Sequence, residues 1–85
     1  MNTTDTERRL RALLGAIAPD ADVGALPADA DLREELELDS LDVQRFVAAI
    51  DAELDVAIAD REIPGLRTLA DVARRVEAAA GEVPR

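Results

Sequence analysis

Three stretches of this chain place apolar residues at helical spacing, and no stretch alternates them as a strand would. Leu10, Leu13, Leu14 and Ile17 form the first stripe; Val43, Phe46, Val47, Ile50 and Leu54 the second; Leu69, Val72, Ala73 and Val76 the third. Each puts its members on one face of an α-helix, so each stretch must bury that face against another element. Local signals set the bounds. The first helix is predicted from Thr4 or Asp5 to Ala18, with a capping-box pattern of Thr4 and Glu7 and a stop at Pro19. The second runs from about Ser40 to Leu54, capped by Asp39, with Asp42 at the third helical position placed to take up free amides. The last opens at Thr68, with Asp71 in capping-box spacing, and ends at Gly81 and Pro84.

Between these lie two irregular segments. Pro19 to Leu38 is rich in turn formers, yet Val23, Leu26, Leu32, Leu36 and Leu38 recur through it. A connection of that length inside a compact domain is functional or disordered as a rule, and its apolar anchors predict an ordered loop lying over the core. One helical turn is predicted where Leu32 and Leu36 stand four residues apart. A second short helix fits Asp60 to Ile63, ended by Pro64-Gly65. The fold class is therefore all-α: a small four-helix bundle of three main helices and one short one, with a long ordered loop between helices 1 and 2. At 85 residues the chain makes one domain, 1–85, structured over about 4–80.

What the chain lacks narrows its chemistry. With no Cys and no His, a disulfide framework, thiol catalysis, Cys/His zinc sites and a Ser-His triad are all excluded. Phe46 is the sole aromatic residue, which removes any stacking platform for single-stranded nucleic acid. No apolar run approaches a membrane span, and the charged residues Asp5, Glu7, Arg8, Arg9 and Arg11 are wrong for a signal peptide. A cytoplasmic monomer, with no nucleic-acid partner and no membrane insertion, is the expectation. Asp20-Ala21-Asp22 and Asp29-Ala30-Asp31 look like the opening of a calcium loop, but neither continues to its closing Glu. Glu34-Glu35, a pair of adjacent carboxylates, reads as solvated surface, so no catalytic residue is assigned and the chain reads as no enzyme.

The charge is unevenly placed. Residues 20–60 hold thirteen acids against Arg33 and Arg45, a net of −11, while 1–19 and 61–85 each come to +1. Near the middle of the acidic stretch stands Ser40, at the first turn of a helix and just after an N-cap Asp. A phosphodiester on its hydroxyl would lie where helix N-termini favour anions. Alone, Asp-Ser before an apolar helix is a common capping sequence and specifies nothing.

The whole pattern specifies more. Leu32 and Leu36, then Asp39-Ser40-Leu41-Asp42, then Val47, Ile50 and Leu54, then Val56, Ile58, Asp60 and Glu62, and finally Thr68-Leu69 follow one another as in the acyl carrier proteins, which this chain resembles over nearly its whole length. The resemblance implies that a phosphopantetheinyl transferase attaches 4′-phosphopantetheine, a covalent cofactor, to Ser40. Acyl groups would then ride on its thiol as thioesters, presented to acyl-loading and acyl-processing enzymes with basic docking patches. It further implies that Asp39 and Leu41 flank the attachment site and that Asp42, Arg45, Asp51 and Glu53 face partners.

Three positions depart from the family pattern. Glu37 stands two residues before Asp39, where many members have Gly; Arg45 stands where many fatty-acid carriers have an acid; Ala59 stands where a Pro often precedes the acidic pair. These point away from central fatty acid synthesis, toward a specialised lipid or secondary-metabolite pathway. Two other functions fit the same chain: an aminoacyl or peptidyl carrier, which usually has Gly where Asp39 stands, and an unmodified acidic interaction module.

Overall fold

The computed structural model describes residues 3–80. Helix α1 (Thr3–Ile17), a short helix α2 (Leu32–Glu35), α3 (Ser40–Leu54) and α4 (Leu69–Ala80) follow in order, with 3₁₀ turns at Val23–Ala25 and Asp60–Gly65. Among the described residues there is no strand, only one isolated bridge pairing Asp31 with Thr68. This is the all-α arrangement of three main helices, with the predicted helical turn at Leu32 formed as α2.

α1 packs on α4 and on α3, and the three stripes meet in one core. Leu10, Leu14, Ile50, Leu69 and Val76 are essentially sealed from solvent, and Thr6 is buried beside them one turn before Leu10. Burying each large aliphatic side chain contributes about 1.5–3 kcal/mol, so these few residues carry much of the fold's stability. Val43, Val47 and Leu54 lie at the edge of that core, half-buried.

Two local expectations are corrected. Thr4 lies inside α1, which begins at Thr3, so it is not the N-cap. Pro64 and Gly65 belong to the 3₁₀ segment and do not stop it; Leu66 closes it through its amide on the Ile63 carbonyl. Pro64 is the fifth of the six residues, so the segment forgoes the one i→i+3 bond that its nitrogen cannot donate. The predicted stop at Gly81 and Pro84 falls outside the described residues.

The long connection is ordered, as its apolar anchors require: Leu26, Leu32 and Leu38 are buried. Two polar clasps hold its backbone. Arg11 of α1 donates from one Nη to the carbonyls of Val23 (2.6 Å) and Leu26 (2.7 Å). Farther on, the Asp31 carboxylate accepts the amides of Arg33 (3.0 Å) and Glu34 (3.1 Å), capping α2, and also takes Nε and Nη2 of Arg67 at 3.1 and 2.9 Å. The Leu32 amide donates to the Arg67 carbonyl (2.8 Å) and that of Ala70 to Ala28 (2.9 Å), so the loop is stitched to the start of α4.

α4 begins in a reciprocal cap: the Asp71 amide donates to Thr68 Oγ1 (3.0 Å) and the Thr68 amide to the Asp71 carboxylate (3.2 Å). Glu62 is held in the same way, accepting from Arg75 and from the amide of Ala59 (2.9 Å). Ala59 is thus explained: its N–H is in use, and a proline there would lack it.

These contacts depress three carboxyl pKa values. At Asp31 the Glu34 amide is the leading cause, followed by Arg67; at Glu62 it is Arg75, followed by the Ala59 amide. At Asp71 burial works against ionisation, but the amides of Thr68 and Arg67, the Thr68 hydroxyl and Arg74 outweigh it. A depressed carboxyl binds its proton more weakly when folded, so its stabilisation is present above the ordinary carboxylate range and fades as the pH falls through the folded pKa. Asp31→Asn should therefore lower the urea midpoint at about pH 7, and the gap to the parent should close as the solution is acidified. A gap that stays constant with pH would show that Asp31 acts by shape and not by charge.

Candidate functional site

Chain direction reverses at Leu36–Leu38, between α2 and α3, and the reversal is strained. Glu37 sits at φ 52°, in the left-handed region. That conformation is costly for a residue with a Cβ, by roughly 1–2 kcal/mol. Buried Leu38 and the Leu38 amide on the Arg33 carbonyl (3.0 Å) hold the chain there. Here is the physical content of the missing glycine noted in the sequence: the turn needs a positive φ, and Glu37 adopts it.

Asp39 then caps α3. Its Oδ1 accepts the Asp42 amide (2.8 Å) while Asp42 Oδ2 accepts the Asp39 amide (3.2 Å), a closed capping box. The Val43 amide on the Asp39 carbonyl (3.0 Å) is the first bond of the helix ladder. Such a cap contributes about 1 kcal/mol. Ser40 and Leu41 stand between the two capping residues, both exposed. The Ser40 hydroxyl makes no hydrogen bond among the described residues, and neither do the amides of Ser40 and Leu41. The result is a rigid turn carrying a free primary hydroxyl beside two open N–H groups. A phosphodiester there would meet donors and the positive end of the helix, so the chain's own residues fit such a group.

Cavities flank the turn on two sides. On one, a groove of about 450 Å³ has Leu38, Val43 and Phe46 as its floor, between walls at Leu32–Glu34 and Ile63–Arg67. Val43 lies one helical turn from Ser40, so the groove opens within reach of anything tethered there. On the other, a cleft of about 430 Å³ is lined by the acids Asp20, Glu35, Glu37 and Asp42 over Ile17, Leu36 and Leu38, with no Arg on its walls.

The structure brings Asp39, Ser40, Leu41 and Asp42 together in one turn. It scatters the rest of the predicted partner-facing set. Asp51 and Glu53 are both exposed, but two residues apart on a helix of 3.6 residues per turn they lie on opposite flanks, about 160° apart. Asp42 is half-buried and turned into the cap, with Arg45 3.9 Å from its other oxygen. Arg11 and Asp31, which position the loop before the site, carry no such role in the sequence reading. Charged residues on a helix flank and in a turn look like any solvated surface until the fold supplies their carbonyl and guanidinium partners.

A small helical domain with an unbonded serine hydroxyl at a capped helix start has the geometry to accept a covalent group there. Residues 8–76 match the phosphopantetheine attachment site family, and the chain belongs to it. Domains of this family take 4′-phosphopantetheine covalently and are acyl-carrier-type proteins. No helix among the described residues is long and apolar enough to cross a membrane.

The strained turn yields a prediction. Glu37→Gly should raise stability by about 1 kcal/mol, because relief of the left-handed penalty exceeds the added entropy of the unfolded chain. Thermal denaturation of the two proteins measures it; a lower melting temperature for the glycine variant would mean that the Glu37 side chain itself anchors the turn.

Proposed function

We propose that Ser40 is the residue that receives 4′-phosphopantetheine and that the chain is a discrete acyl carrier of a specialised lipid or secondary-metabolite pathway, without catalytic activity of its own. The observation that carries this reading is the exposed, unbonded hydroxyl of Ser40 at the capped start of α3, inside the span that matches the attachment family. In the transfer, Ser40 Oγ attacks the phosphorus on the pantetheine side of the coenzyme A pyrophosphate. The new bond is a phosphodiester, the bond that breaks releases adenosine 3′,5′-bisphosphate, and the hydroxyl proton passes to a base of the phosphopantetheinyl transferase or to solvent.

Attached there, the prosthetic group supplies the thiol that this cysteine-free chain lacks, and that thiol holds an acyl group as a thioester. The chain's own residues do the rest. Asp39 and Asp42 keep the turn rigid, so the arm swings from a fixed point. The two open amides would give the phosphodiester hydrogen-bond donors, and the apolar groove along Val43 and Phe46 would offer cargo a surface beside the attachment point. Asp39 immediately before Ser40 favours an acyl cargo over a nonribosomal aminoacyl or peptidyl one, which is the second carrier reading. Arg45 and Glu37, as departures near the site, support a role outside central fatty acid synthesis.

Incubation with coenzyme A and a broad-specificity phosphopantetheinyl transferase should add one phosphopantetheine to the intact mass, located to Ser40 by fragmentation. Ser40→Ala should abolish the gain and leave thermal stability within about 0.5 kcal/mol, because Asp39 and Asp42 still close the cap. No gain in a folded sample, with a known carrier modified alongside, would leave an unmodified acidic interaction module as the function.

A further inference from the structure

The groove between α2 and the Asp60–Gly65 turn joins an apolar floor to cationic walls. Leu38, Val43 and Phe46 form the floor, Arg33 lines one wall and Arg67 the other. The Arg33 side chain has no hydrogen bond or ion pair among the described residues. Arg67 gives Nε and Nη2 to Asp31, which leaves its Nη1 unbonded. Each wall therefore holds guanidinium donors that the fold does not use.

The choice of guanidinium is itself uniform. All ten basic residues of the chain are Arg and none is Lys. Among the described residues Arg75 takes both oxygens of Glu62 through Nε and Nη2, the two-point fork that an amine cannot reproduce. Arg8, Arg45 and Arg74 meet a carboxylate through one nitrogen each, a contact that Lys makes equally well. The fold thus requires arginine at few of these positions. What separates the two side chains at the others is reactivity: a guanidinium stays protonated and donates hydrogen bonds, whereas an amine also attacks carbonyl carbons.

Resting on the carrier reading above, we infer that the cargo is an oxo-acyl group, an aliphatic chain bearing a ketone near its thioester, and that Arg33 and Arg67 select it by hydrogen bonds to that oxygen. A plain hydrocarbon chain fits the floor but leaves the donors without a partner. A carboxylated chain meets Asp31 and Glu34 on the same walls, and like charge disfavours it. A ketone oxygen is a neutral acceptor and avoids that repulsion. It is also an electrophile, and a side-chain amine beside it would condense with it: the nitrogen bonds to the β-carbon, and the carbonyl oxygen leaves as water with the two amine protons. A chain without Lys holds such a cargo by the same kind of donor without consuming it.

Three cargoes of equal length test the assignment. A broad-specificity phosphopantetheinyl transferase loads the chain from octanoyl-, β-oxooctanoyl- or octanedioyl-coenzyme A, and intact mass verifies each product before thermal denaturation. The β-oxooctanoyl form should melt about 4 °C or more above the octanoyl form, and Arg33→Met and Arg67→Met should each reduce that gap by half or more. Comparing two cargoes on the same chain cancels any loss of stability from breaking the Asp31–Arg67 clasp. Arg33→Lys loaded with the β-oxooctanoyl group should form an imine that cyanoborohydride reduces to a stable amine, located to position 33 by fragmentation, while the parent forms none. Equal melting of the octanoyl and β-oxooctanoyl forms, a gap that both Met variants leave intact, or no adduct in Arg33→Lys overturns the inference and leaves the carrier reading standing. The highest midpoint with the octanedioyl group would assign the groove to carboxylated cargo and overturn it as well. Absence of loading even from unacylated coenzyme A overturns the carrier reading, and this inference with it.

Discussion

Arg11 decides whether the segment between α1 and α3 is a structure or a tether. A connection of this length pairs only part of its own backbone, in short turns, and burying its leucines brings carbonyls toward the core with them. One guanidinium nitrogen satisfies two of those carbonyls, Val23 and Leu26, while half-exposed Glu7 balances its charge from one turn earlier on the same helix. The Val23 carbonyl also accepts the Leu26 amide at 3.4 Å, so the Leu26 carbonyl is the one that depends on Arg11, and leaving such an acceptor unsatisfied costs about 1–3 kcal/mol. Asp31 does the equivalent work at the far end, capping α2 and binding Arg67 at the same time. Between these two clasps the loop has little freedom, and the turn before Ser40 inherits that rigidity.

The same economy shapes the charge distribution. The acids of residues 20–60 fall into two groups: those with a structural partner, such as Asp31, Asp39 and Asp42, and those facing solvent, such as Glu34, Glu35 and Glu37. The first group acts at hydrogen-bond distance, where salt screens it less. The second acts through the long-range field, which is screened within about 8–10 Å at physiological ionic strength. A net charge counted along the sequence merges the two. The fold separates them.

Much of this architecture was legible beforehand. Residue spacing located the three main helices because burial of one helical face is a periodic demand that the chain states directly, and α3 spans Ser40–Leu54 as the Asp39 cap and the Leu54 end of the stripe required. The helical turn at Leu32 was readable for the same reason. Neither clasp was. Arg11 and Arg67 each act on atoms more than ten residues away, two of them main-chain carbonyls that no side-chain pattern encodes. Thr4 was misread because capping-box spacing recurs by chance, and only the position where the ladder of hydrogen bonds begins tells a cap from a residue inside the first turn. At the site, the cap and the serine were legible in the sequence, but the placement of Asp51 and Glu53 was not: their linear proximity hides their angular separation on the helix.

Glu37 ties these threads together. A glycine would adopt its left-handed φ more easily, yet would also let the turn visit other conformations, and the position of Ser40 depends on that turn. With Glu37 the strained geometry is imposed from both sides, by half-buried Leu36 and buried Leu38 and by the Leu38 amide on the Arg33 carbonyl, and few alternatives are open to the backbone. Strain of this kind persists only where the surroundings over-determine it. The arrangement is suited to a carrier, whose modification site must be a fixed point on the protein while everything beyond its hydroxyl moves.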